Sequence, residues 1–304
     1  MQLLDGNKVS EDIRDEIRAE VTRMLAKGLR PPHLVAILVG DNPASKIYVR
    51  NKMQDCDYVG FSSTLKRLPA NLTQEQLIQK VQEYNHDPEV DGIIVQMPLP
   101  EHIQPQDITS SIDPNKDVDG FHPLNVGLMT LNFPGLMPAT PSGILELLHR
   151  YHISTKGKHC VVVGRSRIVG RPTSILMSRG GDPGEATVTI CHKHTPPEEL
   201  RRICPQADIL IVAVGKPNLI TAEMVKEGAI VIDVGMNRVE APGTKSGYRL
   251  RGDVDFEAVA PKTSFITPVP GGVGPMTRAV LLRNTLEAFQ RRHGMPVEDR
   301  IRLS

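Results

Sequence analysis

The sequence carries no excess of one charge: 36 Lys and Arg stand against 35 Asp and Glu, a formal net charge of +1. That balance, with no basic cluster or tail, argues against a nucleic-acid partner, which calls for a cationic surplus. No apolar run approaches the roughly 18–20 residues of a membrane span, so no membrane partner is expected. The opening MQLLDGNKVSEDIRDEI lacks the basic and apolar regions of a signal peptide, and a cytoplasmic protein is expected. Cysteine is scarce: Cys56, Cys160, Cys191 and Cys204 lie far apart, with no CxxC pair and no Cys/His spacing suited to zinc. Cys191-His192-Lys193-His194 follows an apolar alternation, ATVTIC, and lacks a second ligand pair nearby. It reads as a strand end and loop, and no metal is expected. Repeats of solenoid length are also missing.

What is present is ordinary globular material: 304 residues, 39% hydrophobic and 23% charged, enough for two domains each with its own core. SEDIRDEIRAEVTRMLAKG reads as a helix capped by Ser10, with Ile13, Ile17 and Val21 at i+4 and Gly28 beyond its end. HLVAILVG is a short continuous apolar run, as expected of a strand buried on both faces. SKIYVRNKMQDCDYVG and TQEQLIQKVQEY are helical, the second with Thr73 and Gln76 at capping-box spacing, and DGIIVQMPLP is another buried strand ending at Gln96. This alternation predicts right-handed βαβ units and a parallel sheet.

Asp113 to Gly143 is dense in Asp, Pro, Gly and Asn, too irregular for one element, and is the candidate domain junction lined by functional loops. The α/β pattern then restarts with the strand KHCVVVG, the turn GRSRIVGRP and the helix PTSILMSRG. ATVTIC, DILIVAVG and AIVIDVG follow as strands, and PVPGGVGPMT leads into a helix with Ala279, Leu282, Leu286 and Phe289 on one face. The tail after Gly294 is expected to be poorly held.

Strand, turn and helix around Gly164, Ser166 and Gly170 occur in the order of a Rossmann dinucleotide site. There the first glycine permits the tight turn, the last allows close helix packing, and backbone N–H groups at the helix start hold a pyrophosphate. The spacing is GxSxxxG rather than GxGxxG, and a tight βα turn without ligand stays open on these residues alone. An NAD site usually places an acidic residue after the second strand, whereas here His192-Lys193-His194 follow, with Arg165 inside the turn. Cations there suit the 2′-phosphate of NADP. The loops at Val214-Gly215 and Gly235-Met236 also fall at strand carboxyl ends, where such cofactors rest.

In the first half, Tyr48 and Lys52 sit at i and i+4 of a predicted helix, and Gln96 ends a buried strand. Carboxyl ends of a doubly wound sheet gather into one cleft. Lys116-Asp117-Val118-Asp119-Gly120 adds two carboxylates, and a lysine in a dry cleft can carry protons near neutral pH. A Tyr/Lys pair is also the edge of an ordinary amphipathic face and DVDG an ordinary turn, so periodicity alone does not assign catalysis.

SKIYVRNK, VQMPLP, KDVDGFHP, VVVGRSRIVGRP, VIDVGMNR and ITPVPGGVGPMTR, in this order from Tyr48 to Arg278, give the resemblance. Together they resemble the bifunctional methylenetetrahydrofolate dehydrogenase/methenyltetrahydrofolate cyclohydrolase family. The resemblance implies an α/β protein of two domains. Residues 1–143 with 280–304 would form the substrate and catalytic domain, and residues 144–279 a Rossmann-type NADP-binding domain, the C-terminal helix returning to the first. It implies oxidation of 5,10-methylenetetrahydrofolate with NADP, hydrolysis of the methenyl product to 10-formyltetrahydrofolate, a folate substrate, a place in one-carbon metabolism and purine biosynthesis, and a homodimer.

By the same resemblance Lys52 is the catalytic lysine, Gln96 its hydrogen-bonding partner, Tyr48 the ring packing against folate and Asp119 the carboxylate anchoring the pterin. Val269, Pro270, Gly271 and Gly272 belong to a loop closing over substrate. Gly164, Arg165, Ser166, Lys193 and Met236 fall at dinucleotide contacts. Three departures stand out: Ala139 occupies a frequent cysteine position, Lys193 a serine position and Met236 an isoleucine position. The first excludes an essential thiol there, and the second bears on the choice between NADP and NAD. The rival readings are a dehydrogenase without the hydrolytic step and a non-catalytic NADP-binding module. Neither the second cleft nor Lys52 would be needed by such a module.

Overall fold

The structure, a computed structural model, describes residues 1–244 and 247–297. The tail expected to be poorly held thus lies, from residue 298 onward, outside the described residues. In chain order the first elements are β1 (Gln2–Leu3), α1 (Gly6–Ala26), β2 (His33–Val39), α2 (Pro43–Val59), β3 (Ser62–Leu68), α3 (Gln74–His86) and β4 (Gly92–Val95). The helices α4 (Pro105–Ser111), α5 (Pro123–Thr130) and α6 (Ala139–Arg150) come next. Then follow β5 (His159–Val163), α7 (Gly170–Ser178), β6 (Thr187–Cys191), α8 (Pro197–Ile203), β7 (Ile209–Val212) and β8 (Ile230–Asp233). The last are β9 (Asn237–Glu240), β10 (Tyr248–Arg251), α9 (Phe256–Val259), β11 (Phe265–Ile266) and α10 (Val273–Arg292).

The chain forms two compact units. The first joins Glu11–Ala139 to residues 278–297, and the second joins Met1–Ser10 to Thr140–Thr277. In the first unit the parallel sheet has the order β3-β2-β4. Strand β2 is central because every residue after His33 is buried, as the unbroken apolar run predicts. Strand β3 is absent from the sequence reading. SSTLKRL alternates weakly and has no fully buried residue, the pattern of an edge strand, and its pairing from His33↔Ser62 to Val39↔Leu68 supplies what its composition does not. Val35, Ile37, Leu77, Val81, Ile93 and Ile108 share a core between this sheet and α3 and α4.

The capping box of α3 forms as expected: Gln76 N–H donates to Thr73 Oγ1 at 3.3 Å, and Thr73 N–H donates to Gln76 Oε1 at 2.9 Å. Helix α1 corrects the assignment of Ser10 as its cap. Asp5 Oδ1 accepts from the N–H groups of Asn7 and Lys8 at 2.9 and 3.2 Å, so the helix opens five residues earlier. Ser10 is buried inside the helix and its hydroxyl donates to the Asn7 carbonyl at 2.9 Å. The segment 113–143 is indeed no single element: it holds a parallel bridge between Asp117 and Ile93, α5 and the start of α6. The last helix packs in the first unit, as the resemblance implies. Buried Asn284 donates to the carbonyls of Val118 and Met137 at 2.8 and 2.9 Å, and the guanidinium of Arg30 lies 5.1 Å over the ring of Phe289.

The second unit is a six-stranded sheet, every pairing parallel, in the order β1-β11-β8-β7-β5-β6. From β5 the chain moves to one side, to β6, then crosses back to β7 on the other. The switch point therefore lies between the carboxyl ends of β5 and β7, where open α/β sheets bind their ligands. The chain start joins this sheet because β1 pairs with β11, Gln2 opposite Phe265. An antiparallel ribbon, β9 with β10, extends beyond β8.

Candidate active site

In the first unit, α2 carries the Tyr48–Lys52 pair. Asn42 starts this helix by accepting from Ala44 and Ser45 N–H, and Gly60, at φ 83°, ends it in the left-handed region. Lys52 is half-buried, and its Nζ donates to Gln96 Oε1 at 3.2 Å. Gln96 is held twice. Its backbone N–H donates to the Ile37 carbonyl at 2.9 Å, and its Nε2 donates to the Met97 carbonyl at 2.7 Å, which turns Oε1 toward the lysine. Tyr48, one turn before Lys52, leaves 43% of its surface open to solvent.

The two carboxylates of KDVDG divide their tasks. Asp117 is buried, accepts from His122 N–H at 2.7 Å and Asn125 Nδ2 at 2.9 Å, and shapes the loop; burial raises its pKa against those bonds. Lys116 is also structural, donating to the carbonyls of Tyr84, Asn85 and Asp87 at 2.9, 2.8 and 2.7 Å, and burial lowers its pKa. Its three bonds satisfy the carbonyl end of α3. Asp119 is the carboxylate turned to the site. The residue as a whole is half-buried while protein encloses its carboxyl; that burial raises the pKa, and the Lys52 ammonium within reach opposes the rise. Gly120 follows at φ 73°, where a Cβ would stand 2.4 Å from the Met137 carbonyl carbon. Lys52 and Gln96 thus meet at the carboxyl end of β4, with Asp119 close enough to feel the lysine's charge and Tyr48 on the same helix as Lys52.

In the second unit the turn between β5 and α7 is built by two glycines with no room for a side chain. A Cβ on Gly164, at φ 129°, would stand 2.3 Å from the Ala213 oxygen, and one on Gly170 would stand 2.2 Å from the Gly164 oxygen. Ser166 Oγ accepts from Val169 and Gly170 N–H at 3.1 and 3.3 Å, so this serine shapes the turn as well as facing solvent. Arg165 and Lys193 are exposed at the ends of β5 and β6, joined by the bond from Gly164 N–H to the Cys191 carbonyl at 2.8 Å. Cys191 itself is buried, which raises its thiol pKa. A glycine-lined turn at the switch point, open backbone at Gly215 and cations at two strand ends fit a dinucleotide with a 2′-phosphate. Met236 reaches the start of α10: its Cε lies 3.1 Å from the place a Cβ on Gly274 would take. The loop from Val269 to Gly272 leads into that helix, and Asn7 N–H donates to the Gly271 carbonyl at 3.1 Å.

Two aspartates escaped the sequence reading. Asp253 accepts from the N–H groups of Val214, Gly215 and Lys216 at 2.7, 3.0 and 2.9 Å and from Asn237 Nδ2 at 2.8 Å, fixing the loop after β7. Asp233 accepts from Gly235, Asp253 and Val254 N–H at 2.9 Å each, and burial nonetheless pushes its carboxyl up to about 6. The signal available was an aspartate closing the apolar strand AIVID, a charge where the run calls for none.

Known proteins resemble this chain over nearly its whole length. Residues 4–119 match the tetrahydrofolate dehydrogenase/cyclohydrolase catalytic domain, and residues 138–293 match the NAD(P)-binding domain of the same family. A bifunctional protein FolD of Cytophaga hutchinsonii is 57% identical over 95% of this chain and 99% of its own. The crystal structure of the bifunctional FolD methylenetetrahydrofolate dehydrogenase/cyclohydrolase of Campylobacter jejuni superposes with a TM-score of 0.90 at 46% identity, covering 96% of this chain and 99% of that one. The Trypanosoma brucei dehydrogenase-cyclohydrolase, solved with NADP cofactor and inhibitor, gives a TM-score of 0.90 at 39% identity over 95% of this chain and 97% of its own. The chain belongs to the tetrahydrofolate dehydrogenase/cyclohydrolase family.

Proposed function

We propose that this protein oxidises 5,10-methylenetetrahydrofolate with NADP and hydrolyses the methenyl product to 10-formyltetrahydrofolate. The observation that carries the reading is the Lys52–Gln96 hydrogen bond at the carboxyl end of β4, with Asp119 beside the lysine. The first unit is the folate-binding and catalytic domain, and the second binds the dinucleotide. NADP would supply the hydride acceptor when bound; Gly164, Arg165, Ser166 and Met236 would hold it, and Lys193 would serve as the cation for its 2′-phosphate.

The oxidation needs no acid or base at the moving hydride, so the protein's task there is to orient the folate. Tyr48 packs its ring against the folate, Asp119 anchors the pterin, and Val269, Pro270, Gly271 and Gly272 close over the substrate. Hydrolysis does need proton transfer. Water adds to the methenyl cation and loses one proton; as the bond from that carbon to N5 breaks, N5 gains a proton, the adduct's hydroxyl loses its own to become the formyl oxygen on N10, and one proton is released overall. Lys52 carries the proton between these sites. Gln96 keeps the amine aimed because Met97 fixes its amide.

The protein works in the cytoplasm as a homodimer and makes a formyl donor for purine biosynthesis. The outer edge of β6, with Ile190 44% exposed, supports pairing of two copies. A sedimentation-velocity run that gives the mass of a single chain at micromolar concentration overturns the dimer. The activities are tested by incubating the protein with 5,10-methylenetetrahydrofolate and either NADP or NAD, reading reduced cofactor and methenyl product separately. Reduced cofactor with little methenyl product, faster with NADP, is the expected result. Accumulating methenyl product contradicts the hydrolytic step, and no reduction with either cofactor contradicts the whole reading.

A further inference from the structure

The reading of Lys52 as proton carrier makes the setting of α2 critical, and the following inference rests on that reading. Ser45, Val49, Cys56 and Val59 form the buried stripe of α2, and Lys52 lies within it, three residues past Val49 and four before Cys56. Apolar packing along such a stripe holds the helix down but resists rolling weakly, because dispersion and burial are not directional. A roll of about 20° moves an atom at the roughly 5–6 Å side-chain radius of a helix by about 2 Å. That is enough to break the 3.2 Å bond from Lys52 to Gln96.

One turn beyond Lys52, on a neighbouring line of the helix, Asp55 is buried with 6% of its side chain exposed. Two helices reach it. Arg14 of α1 donates from Nη1 to Asp55 Oδ1 at 2.8 Å, and Arg278 of α10 places Nη1 3.0 Å from Oδ2 in an ion pair lacking hydrogen-bond alignment. A carboxylate taken from water in this way needs both partners, and the directions of the two contacts define the rotation of α2 between its neighbours. We propose that Asp55 is a positioning residue for hydrolysis: clamped by Arg14 and Arg278, it sets the roll of α2 that aims Lys52 at Gln96. The oxidation, which uses no proton carrier, is its internal control.

The test compares Asp55→Asn, Arg278→Gln and Lys52→Met in the full chain, each shown to be folded by circular dichroism at the assay temperature. For Asp55→Asn we expect hydrolytic kcat to fall by at least about tenfold, with KM for the methenyl substrate and dehydrogenase kcat held within about twofold. Arg278→Gln, which leaves the Arg14 bond in place, should lower hydrolysis by about threefold with the same selectivity, and it decides the question if Asp55→Asn does not fold. Equal losses in both activities would mean that the clamp serves stability alone, and unchanged hydrolysis would mean that it positions nothing. If Lys52→Met still hydrolyses, the proton-carrier reading fails and takes this inference with it. If Lys52→Met is inactive in hydrolysis while the folded clamp variants retain it, the inference alone fails.

Discussion

At the scale of single residues, chemistry and architecture are separated within a few positions of each other. Lys116 and Asp117 spend their charges on backbone groups, while Asp119, two residues on, faces Lys52. Lys52→Met should abolish hydrolysis while leaving the melting temperature within a few degrees, since a half-buried flexible chain of similar length is replaced; full hydrolysis by the folded variant contradicts the assignment. Lys193→Ala should lower kcat/KM with NADP by about five- to tenfold more than with NAD, the size of one exposed charge-assisted contact to a phosphate. An unchanged ratio of the two kcat/KM values places the phosphate elsewhere. The helical spacing and the family strings singled out Lys52 in the sequence, whereas the structural task of Lys116 was not legible, because the carbonyls it satisfies lie about thirty residues away in the chain.

Elements place these residues. Strand β4 delivers Gln96, the capped start of α2 sets the phase of Tyr48 and Lys52, and Asn284 of α10 holds the carbonyls on either side of the Asp119 loop. The turn from β5 to α7 depends on backbone proximity more than on any side chain. Gly164→Ala meets both a left-handed backbone and the Ala213 oxygen, and we expect a loss on the order of 2–4 kcal/mol in chemical denaturation, with weakened NADP binding in the folded fraction. A variant as stable as the parent would show that the sheet end can open there without cost. Buried strands and long amphipathic helices were legible from their periods. The edge strand β3, the short helices α4 and α5 and the β9–β10 ribbon were not, because their residues gain burial or pairing only from partners far along the chain.

For the whole molecule, the buried carboxyl of Asp233 ties stability to pH. Its pKa in the folded state, about 6, lies above the ordinary 3.8, so the folded protein holds this proton more tightly than the unfolded chain. The stabilisation is therefore complete below about pH 4 and is lost as pH rises through 6, at most about 3 kcal/mol for a shift of this size. The advantage of the parent over Asp233→Asn, which cannot titrate there, should shrink between pH 4 and pH 7 in urea denaturation; an advantage that stays constant or grows shows an ordinary carboxylate. The sequence by itself determined the alternation of strands and helices, the glycine turn, the Tyr48–Lys52 spacing and the family strings, because all of these are local in the chain. Tertiary structure decided which carboxylate of KDVDG faces the lysine, how Asp233 and Asp253 brace the loops after β7 and β8, and how Asp55 gathers Arg14 and Arg278. Those outcomes depend on which groups burial deprives of water and which distant partners replace it, and neither is written in the spacing of neighbouring residues.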